Sequence, residues 1–256
     1  MIVAHRGASR DAPENTLPAF KLAWEQQADA IEGDFRLTKD GRIVCIHDSD
    51  TKRVSNANLV VRHATLAELR RLDVGERYGE AFKGTVIPTI AEVFSTIPAH
   101  KTIYIEIKCG TEIIPSLLEE IGKSGLAKEQ IVLISHRMKV IQALKEKAPQ
   151  HKAFWLTEFK KNKVGKTTPS LEAVLKTLKL IKADGVGSAE KFIDEVFINR
   201  VKAEGYEYHV WTIDDAQTAK RFTAWGVGSI TTNLPGYMRK ILAAQDSAPQ
   251  AEKSFR

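Results

Sequence analysis

Two histidines and two acids near the start of the chain could form a metal-assisted acid–base site. His5 and Arg6 follow a short apolar run, and His47 ends another. Glu32 and Asp34 stand two residues apart in a strand-like segment between them. Histidine titrates near neutral pH and can transfer protons, whereas neighbouring carboxylates repel unless a cation or a proton lies between them. These residue types at this spacing therefore predict proton transfer assisted by a cation.

A third strand-like run, at residues 103–108, adds Glu106 and Lys108. Side chains alternate along a strand, so these two share one face, as Glu32 and Asp34 do. A single charged side chain of this kind could simply form an ion pair at a sheet edge. Three carboxylates, two histidines and two cationic side chains at three strand ends instead favour a functional site. Three carboxylates without a cysteine suit Mg²⁺ or Ca²⁺ better than zinc.

Short apolar runs alternate with helix-period segments along the chain, which is typical of β/α units. The strand candidates are residues 2–5, 29–34, 103–108, 131–135, 152–156, 181–186, 207–212 and 227–231. The helix candidates are residues 15–27, 112–123, 137–148, 170–179, 189–203, 215–224 and 235–243. This alternation predicts a (β/α)8 TIM barrel, in which working residues lie at the carboxyl ends of the strands.

A turn signal at residues 39–42 predicts a hairpin after the second strand, so that residues 42–48 run back antiparallel. With a two-residue loop at Asp40 and Gly41, Asp34 would pair with His47, and both would face the same side. A loop of three residues would shift this pairing by one, and the sequence leaves both loops open.

We expect one domain over residues 1–244, with a small insertion at about 49–102. That stretch is too long for a plain strand–helix connection, and it contains helix-like segments at 66–72 and 90–95. Residues 245–256 are polar and are expected to form a disordered tail.

The composition narrows the classes of partner. The net charge of +6 would favour an anionic substrate, but it is interpreted as serving solubility. The basic run at 160–163 carries no nucleic-acid motif and is interpreted as a solvated loop, so no nucleic-acid partner is expected. No apolar run approaches the roughly 18 residues of a membrane span.

The two cysteines lack metal or disulfide spacing and are expected to be core thiols.

The compartment and the oligomeric state stay open. No signal peptide is evident, because Ile2 already begins a core-like strand, which suits a cytoplasmic protein. If a signal peptide had been removed, the protein would instead be periplasmic or secreted.

The order of the motifs resembles that of the glycerophosphodiester phosphodiesterase family. The matching stretches are residues 5–7, 13–16, 32–34, 38–41, 47–48, 72–75, 87–89, 105–108 and 210–212. The likeness runs from Ile2 to about Pro235. The chain departs from the family pattern at Gly33, where an aliphatic residue is more usual, and at residues 232–235, where the family has Thr-Asp-Arg-Pro.

The resemblance implies a metal-dependent hydrolase that converts a small-molecule glycerophosphodiester to glycerol 3-phosphate and an alcohol. It implies three ligands for one divalent cation, Mg²⁺ or Ca²⁺: Glu32, Asp34 and Glu106. It also implies residues that handle protons or substrate: His5 and His47 as acid and base, Arg6 and Lys108 on the phosphate, and Trp211 beside the alcohol.

Several alternatives remain at this stage. The same chemistry could act on lysophospholipids, as in a lysophospholipase D, or the barrel could bind glycerophosphodiesters without catalysis. A sugar isomerase would also use acids and histidines, but it would not explain Arg6 and Lys108. The attacking oxygen could be water or the neighbouring glycerol hydroxyl, which would give a cyclic phosphate. His136 could reach the site or cap the next helix.

Overall fold

The structure, a computed structural model, describes residues 1–246. Eight parallel strands close into a barrel, because β1 pairs with β2 on one side and with β11 on the other. The strands are β1 Ile2–His5, β2 Ala30–Leu37, β3 Ile43–Cys45, β4 Thr102–Ile107, β5 Ile131–Ser135, β6 Lys152–Thr157, β7 Lys160–Lys161, β8 Thr167–Thr168, β9 Gly185–Ala189, β10 Glu207–Trp211 and β11 Ser229–Thr232. β3 extends the sheet beyond β2, and β7 and β8 form a separate hairpin. The predicted (β/α)8 barrel is confirmed.

Helices connect the strands around the outside. They are α1 Leu17–Glu25, α2 Leu66–Leu69, α3 Ile90–Phe94, α4 Ile114–Lys123, α5 Met138–Lys147, α6 Leu171–Ile181, α7 Glu195–Ala203, α8 Ala216–Ala224 and α9 Pro235–Asp246. Side-chain oxygens of Thr16, Ser170, Asp194 and Asp215 accept a backbone hydrogen bond at four helix starts, where helical partners are missing. Within residues 1–246, no helix combines the length and apolarity needed to cross a membrane.

Alternation along the strands separates two apolar layers. Ala4 and Ile31 point outwards and pack in the core between strands and helices. Val3 and Ala30 point inwards, where they fill the barrel with aromatic and aliphatic side chains. Glu32 follows Ala30 on the inward face, so the strand period itself carries this acid into the end of the barrel.

Two predicted boundaries on one side of the barrel were wrong. The strand expected at 181–186 is β9, which begins at Gly185. Ile181 instead ends α6 as a buried residue, and Lys182 takes a left-handed conformation that terminates the helix. The helix expected from residue 189 begins only at Glu195, because the Asp194 side chain caps it there.

Of the two hairpin loops that the sequence left open, the structure has the three-residue one, so Asp34 does not pair with His47. Phe35 pairs with Cys45, so the loop has three residues and Asp34 lies opposite Ile46, whose N–H donates to the Asp34 carbonyl at 2.8 Å. Gly41 supplies the positive φ of 73° that such a loop needs. His47 therefore lies beyond the ladder, where the chain leaves the strand.

The stretch between β3 and β4 packs on the barrel through its own apolar cluster, which includes Ile46, Val61, Leu69 and Ile87. The prediction of a single domain with this insertion stays a prediction. Residues 245 and 246 belong to α9 and not to the expected tail, and residues 247–256 lie outside the described residues. Both cysteines are free thiols.

We expect Gly33→Val to destabilise the fold. A Cβ at Gly33 would lie 3.1 Å from Cys45 Sγ and 3.2 Å from Phe20 Cζ, so an aliphatic side chain would overpack this layer. Overpacking of this kind costs about 1–3 kcal/mol. Urea unfolding should show the loss, whereas Gly122→Val, at a helix position with open space around it, should not. Equal stability of the two variants would contradict the packing argument.

Candidate active site

Three buried acids meet at the carboxyl ends of β2 and β4. Asp34 and Glu106 are direct neighbours in the register of these strands, and Glu32 is the neighbour of His5 on β1. One carboxylate oxygen from each of Glu32, Asp34 and Glu106 lies within 4.8 Å of the others. Their exposed fractions are only 3%, 1% and 9%. The three predicted ligands therefore form one buried acidic cluster.

The cluster has the electrostatics of a cation site. Burial, followed by the charges of Asp34 and Glu106, raises the pKa of Glu32 well above its usual value. Burial also raises the pKa of Glu106, and the charge of Asp34 adds to this. Glu32 Oε1 and Asp34 Oδ1 are buried without a hydrogen-bond partner in the structure. Because buried oxygens need a partner, this donor set fits a hard divalent cation.

Two basic side chains border the acids. Arg6 Nε lies 3.2 Å from Asp34 Oδ2, and its backbone N–H donates to Glu32 at 2.9 Å. Lys108 Nζ donates to Glu106 at 2.7 Å and lies 3.4 Å from Asp34 Oδ1. Burial would raise the pKa of Asp34, but the charges of Arg6 and Lys108 outweigh it and lower that pKa. The site therefore keeps Asp34 ionised and presents positive charge beside it.

Both histidines are oriented through Nδ1. His5 Nδ1 lies 2.7 Å from the Asn233 amide oxygen, and the Asn233 amide N–H donates to Asp214 at 2.6 Å, which fixes the amide orientation. His47 Nδ1 lies 2.8 Å from the carboxylate of Asp48. These acceptors place the proton on Nδ1 and leave Nε2 of each ring available. Burial lowers the pKa of both rings, with the charge of Arg6 adding to the effect at His5.

A cavity of about 200 Å³ is lined by two of the three acids, Glu32 and Glu106, by both histidines and by both basic residues. Its far wall contains Trp211 and His136, whose rings meet edge to face with centroids 5.5 Å apart. Leu156 and Glu158 also line this wall. His136 thus reaches the cavity, and α5 begins after Arg137 without a side-chain cap. A larger cavity, of about 330 Å³, lies near the amino ends of the strands, and none of the three acids lines it.

Sequence reasoning assigned no role to several supporting residues. Asn15 donates to Asp34 Oδ2 at 2.8 Å and accepts from the Asp34 backbone N–H at 3.0 Å. Glu14 binds Arg6 at 3.0 Å and Arg53 at 2.7 Å. The sequence feature that could have indicated Glu14 and Asn15 is their place in the stretch at 13–16, which matches the family pattern. Asn233 stands in the sequence only as part of a departure from that pattern.

The fold and the site define a (β/α)8 barrel whose carboxyl end carries a buried acidic cluster that fits a cation, beside a cavity that two oriented histidines also line. Such an arrangement suits metal-assisted acid–base chemistry on an anion. A sequence model described as the glycerophosphoryl diester phosphodiesterase family matches residues 5–237. The chain belongs to this family, which confirms the resemblance seen in its motifs.

Individual relatives match this chain along nearly its whole length. A glycerophosphodiester phosphodiesterase of Caldanaerobacter subterraneus subsp. tengcongensis is 33% identical over 239 residues, which cover 92% of this chain and 94% of the relative. A glycerophosphodiester phosphodiesterase from Bacillus subtilis is 29% identical over 258 residues, which cover 94% of this chain and 86% of that relative.

Solved structures show the same architecture. A phosphodiesterase from Oleispira antarctica, in complex with the product sn-glycerol-3-phosphate, superposes with a TM-score of 0.87 at 25% identity, covering 95% of this chain and 96% of that one. A glycerophosphodiester phosphodiesterase from Thermotoga maritima superposes with a TM-score of 0.75 at 27% identity, and the match covers 94% of this chain and 97% of that one.

We expect Asn15→Ala to weaken divalent-cation binding. The change removes both hydrogen bonds that hold Asp34, and loss of such outer contacts typically lowers metal affinity about 10–100-fold. Calorimetric titration with Mg²⁺ and with Ca²⁺ measures this. Asn56→Ala removes an exposed amide that binds Glu76, and it should leave the affinity unchanged. Unaltered affinity in Asn15→Ala would show that Asp34 needs no such support.

Proposed function

We propose that this protein hydrolyses glycerophosphodiesters to glycerol 3-phosphate and an alcohol with the help of one divalent cation. The observation that carries the proposal is the buried cluster of Glu32, Asp34 and Glu106 beside a cavity that two oriented histidines and two basic side chains also line. The Oleispira antarctica structure, which holds sn-glycerol-3-phosphate in a similar fold, supports this choice of substrate.

The substrate is bound first through attraction between its negative phosphodiester and the cationic side chains that line the cavity. A phosphodiester is a stable anion, so its cleavage requires stabilisation of the negative charge on its nonbridging oxygens. Arg6 and Lys108 line the cavity, and their cationic groups lie beside Asp34. Because these groups are already held by Asp34 and Glu106, they need little reorganisation when the substrate arrives.

Glu32, Asp34 and Glu106 would hold the cation, which is Mg²⁺ or Ca²⁺ in this proposal. When bound, the ion supplies Lewis-acid stabilisation of charge on the phosphoryl oxygens. The all-carboxylate donor set suits either of these hard cations. Asn15 and Arg6 keep Asp34 in place beside it.

The two imidazoles divide the proton transfers. For the transfers to balance, one ring starts neutral and accepts the proton of the attacking oxygen on Nε2, whereas the other starts as an imidazolium and donates its Nε2 proton to the departing alkoxide. Asn233 and Asp48 contact Nδ1 of His5 and His47, so that Nε2 of each ring is available for its transfer. General acid–base assistance of this kind is worth roughly 10²–10⁴-fold. Trp211, on the far wall of the cavity, packs beside the alcohol portion.

The test of this function is release of glycerol 3-phosphate from glycerophosphocholine. We expect release with Mg²⁺ or with Ca²⁺ and its loss when a chelator is added, because the acids would then face one another without a counter-ion. Restoring one ion at a time identifies the cation in use. No release with either ion would contradict the proposed activity, and release that resists chelation would contradict the role of the cluster.

His5→Ala and His47→Ala should each reduce turnover by roughly 10²-fold or more, because each removes one proton transfer. Stabilisation of the fold by the cation, measured by thermal unfolding, should persist in both variants, since neither ring belongs to the acidic cluster. His63→Ala, at an exposed position outside the cavity, is the matched control and should retain turnover. Near-normal turnover in either test variant would overturn that assignment.

A further inference from the structure

A basic, partly apolar surface lies beside the mouth of the barrel and has no part in the proposed catalysis. It consists of the β7–β8 hairpin and an adjoining residue of the β9–α7 loop. We call it the hairpin surface, and its members are Lys160, Lys161, Lys163, Val164, Lys166 and Phe192. Both loops follow the carboxyl ends of barrel strands, β6 and β9, and so lie at the same end as the acidic cluster.

The hairpin has a defined shape that exposes an apolar tip. The Asn162 side-chain oxygen accepts from the backbone N–H groups of Val164 at 3.1 Å and Lys166 at 2.9 Å. Gly165 takes a φ of 76°, which closes the turn. The Val164 side chain is consequently 77% exposed at the end of a tight loop.

The charge on this hairpin is uncompensated. Its four lysines occur within residues 160–168, a stretch that contains no acid. Among the described residues, none of the four forms an ion pair with a carboxylate, and Lys161 Nζ instead donates to Thr167 at 3.0 Å. The hairpin surface therefore presents positive charge to solvent.

Apolar side chains accompany these charges. Phe192 is 48% exposed, and its carbonyl accepts from the Thr167 hydroxyl at 3.4 Å, which places it beside the hairpin. Val196, in the first turn of α7, is 71% exposed. Single exposed apolar residues are ordinary, but several among lysines are typical of surfaces that enter a lipid interface.

The base of the hairpin is anchored in the core and adjoins the cavity. Phe159, directly before β7, is buried and packs edge to face on Phe197 with ring centroids 5.0 Å apart. Glu158, the preceding residue, lines the catalytic cavity. Two consecutive side chains thus connect the base of the hairpin to the core and to the mouth of the site.

We propose that the hairpin surface docks this protein on an anionic lipid surface. The lysines approach acidic headgroups, Val164 and Phe192 enter the interface, and the mouth of the cavity is held close to the membrane. Each lysine near an anionic bilayer strengthens binding about fivefold at low salt, and the gain is screened as salt rises. An apolar tip favours a bilayer over a nucleic acid, whose backbone offers no apolar interior to receive it. This docking goes beyond the proposed hydrolysis and does not depend on it.

Co-sedimentation with lipid vesicles tests the proposal on the full chain. We expect binding to vesicles that contain phosphatidylglycerol, weaker binding to pure phosphatidylcholine, and release by added salt. Lys161→Gln with Lys163→Gln should weaken binding to the anionic vesicles about 25-fold at low salt. Val164→Asp should weaken it as well, because it places a negative charge at the tip.

The control is Lys176→Gln with Lys179→Gln, which removes the same charge from exposed positions on α6. It should retain binding, and circular dichroism should show all variants folded. No binding of the unaltered protein to anionic vesicles would overturn the proposal. Equal loss in the control, or tighter binding to a short DNA duplex than to the vesicles, would overturn it too.

Discussion

The mutual repulsion of three buried carboxylates is the constraint on which the rest of the site depends. Glu32, Asp34 and Glu106 share one pocket with almost no exposure to water, an arrangement that is unfavourable unless positive charge compensates it. Arg6 and Lys108 supply part of that compensation. The buried oxygens of Glu32 and Asp34 that lack a hydrogen-bond partner fit a cation there. Charge balance thus links the acids to Arg6 and Lys108, the basic groups beside them.

The supporting contacts hold this balance in one geometry. Asn15 fixes Asp34, and Asn233 fixes His5 across the seam where the first and last strands of the barrel meet. Arg53 donates to both Glu14 and Asp48, so it joins the stretch after β3 to the partners of Arg6 and His47. A change in that stretch would therefore alter the contacts of His47 through Asp48 and those of Arg6 through Glu14.

The barrel mouth has two different sides. Near β2 and β3, a packed segment with its own apolar cluster supports His47. Near β6 and β9, the loops carry exposed lysines and exposed apolar side chains, and they also contribute Glu158 to the cavity wall. A rigid barrel between them lets chemistry stay on the strand ends while the loops decide what approaches the site. The same fold can therefore keep its catalytic residues and change its surroundings.

The sequence by itself determined the barrel and the convergence of the acids. Strand alternation and the meeting of parallel strand ends follow from local periodicity, so Glu32, Asp34 and Glu106 could be grouped without coordinates. Only the tertiary structure decided the register of β3, since loops of two and three residues are both compatible with the same turn signal. It also decided the contact of His5 with Asn233, 228 positions apart in the chain. Such contacts depend on how the whole barrel closes, and no local pattern encodes that closure.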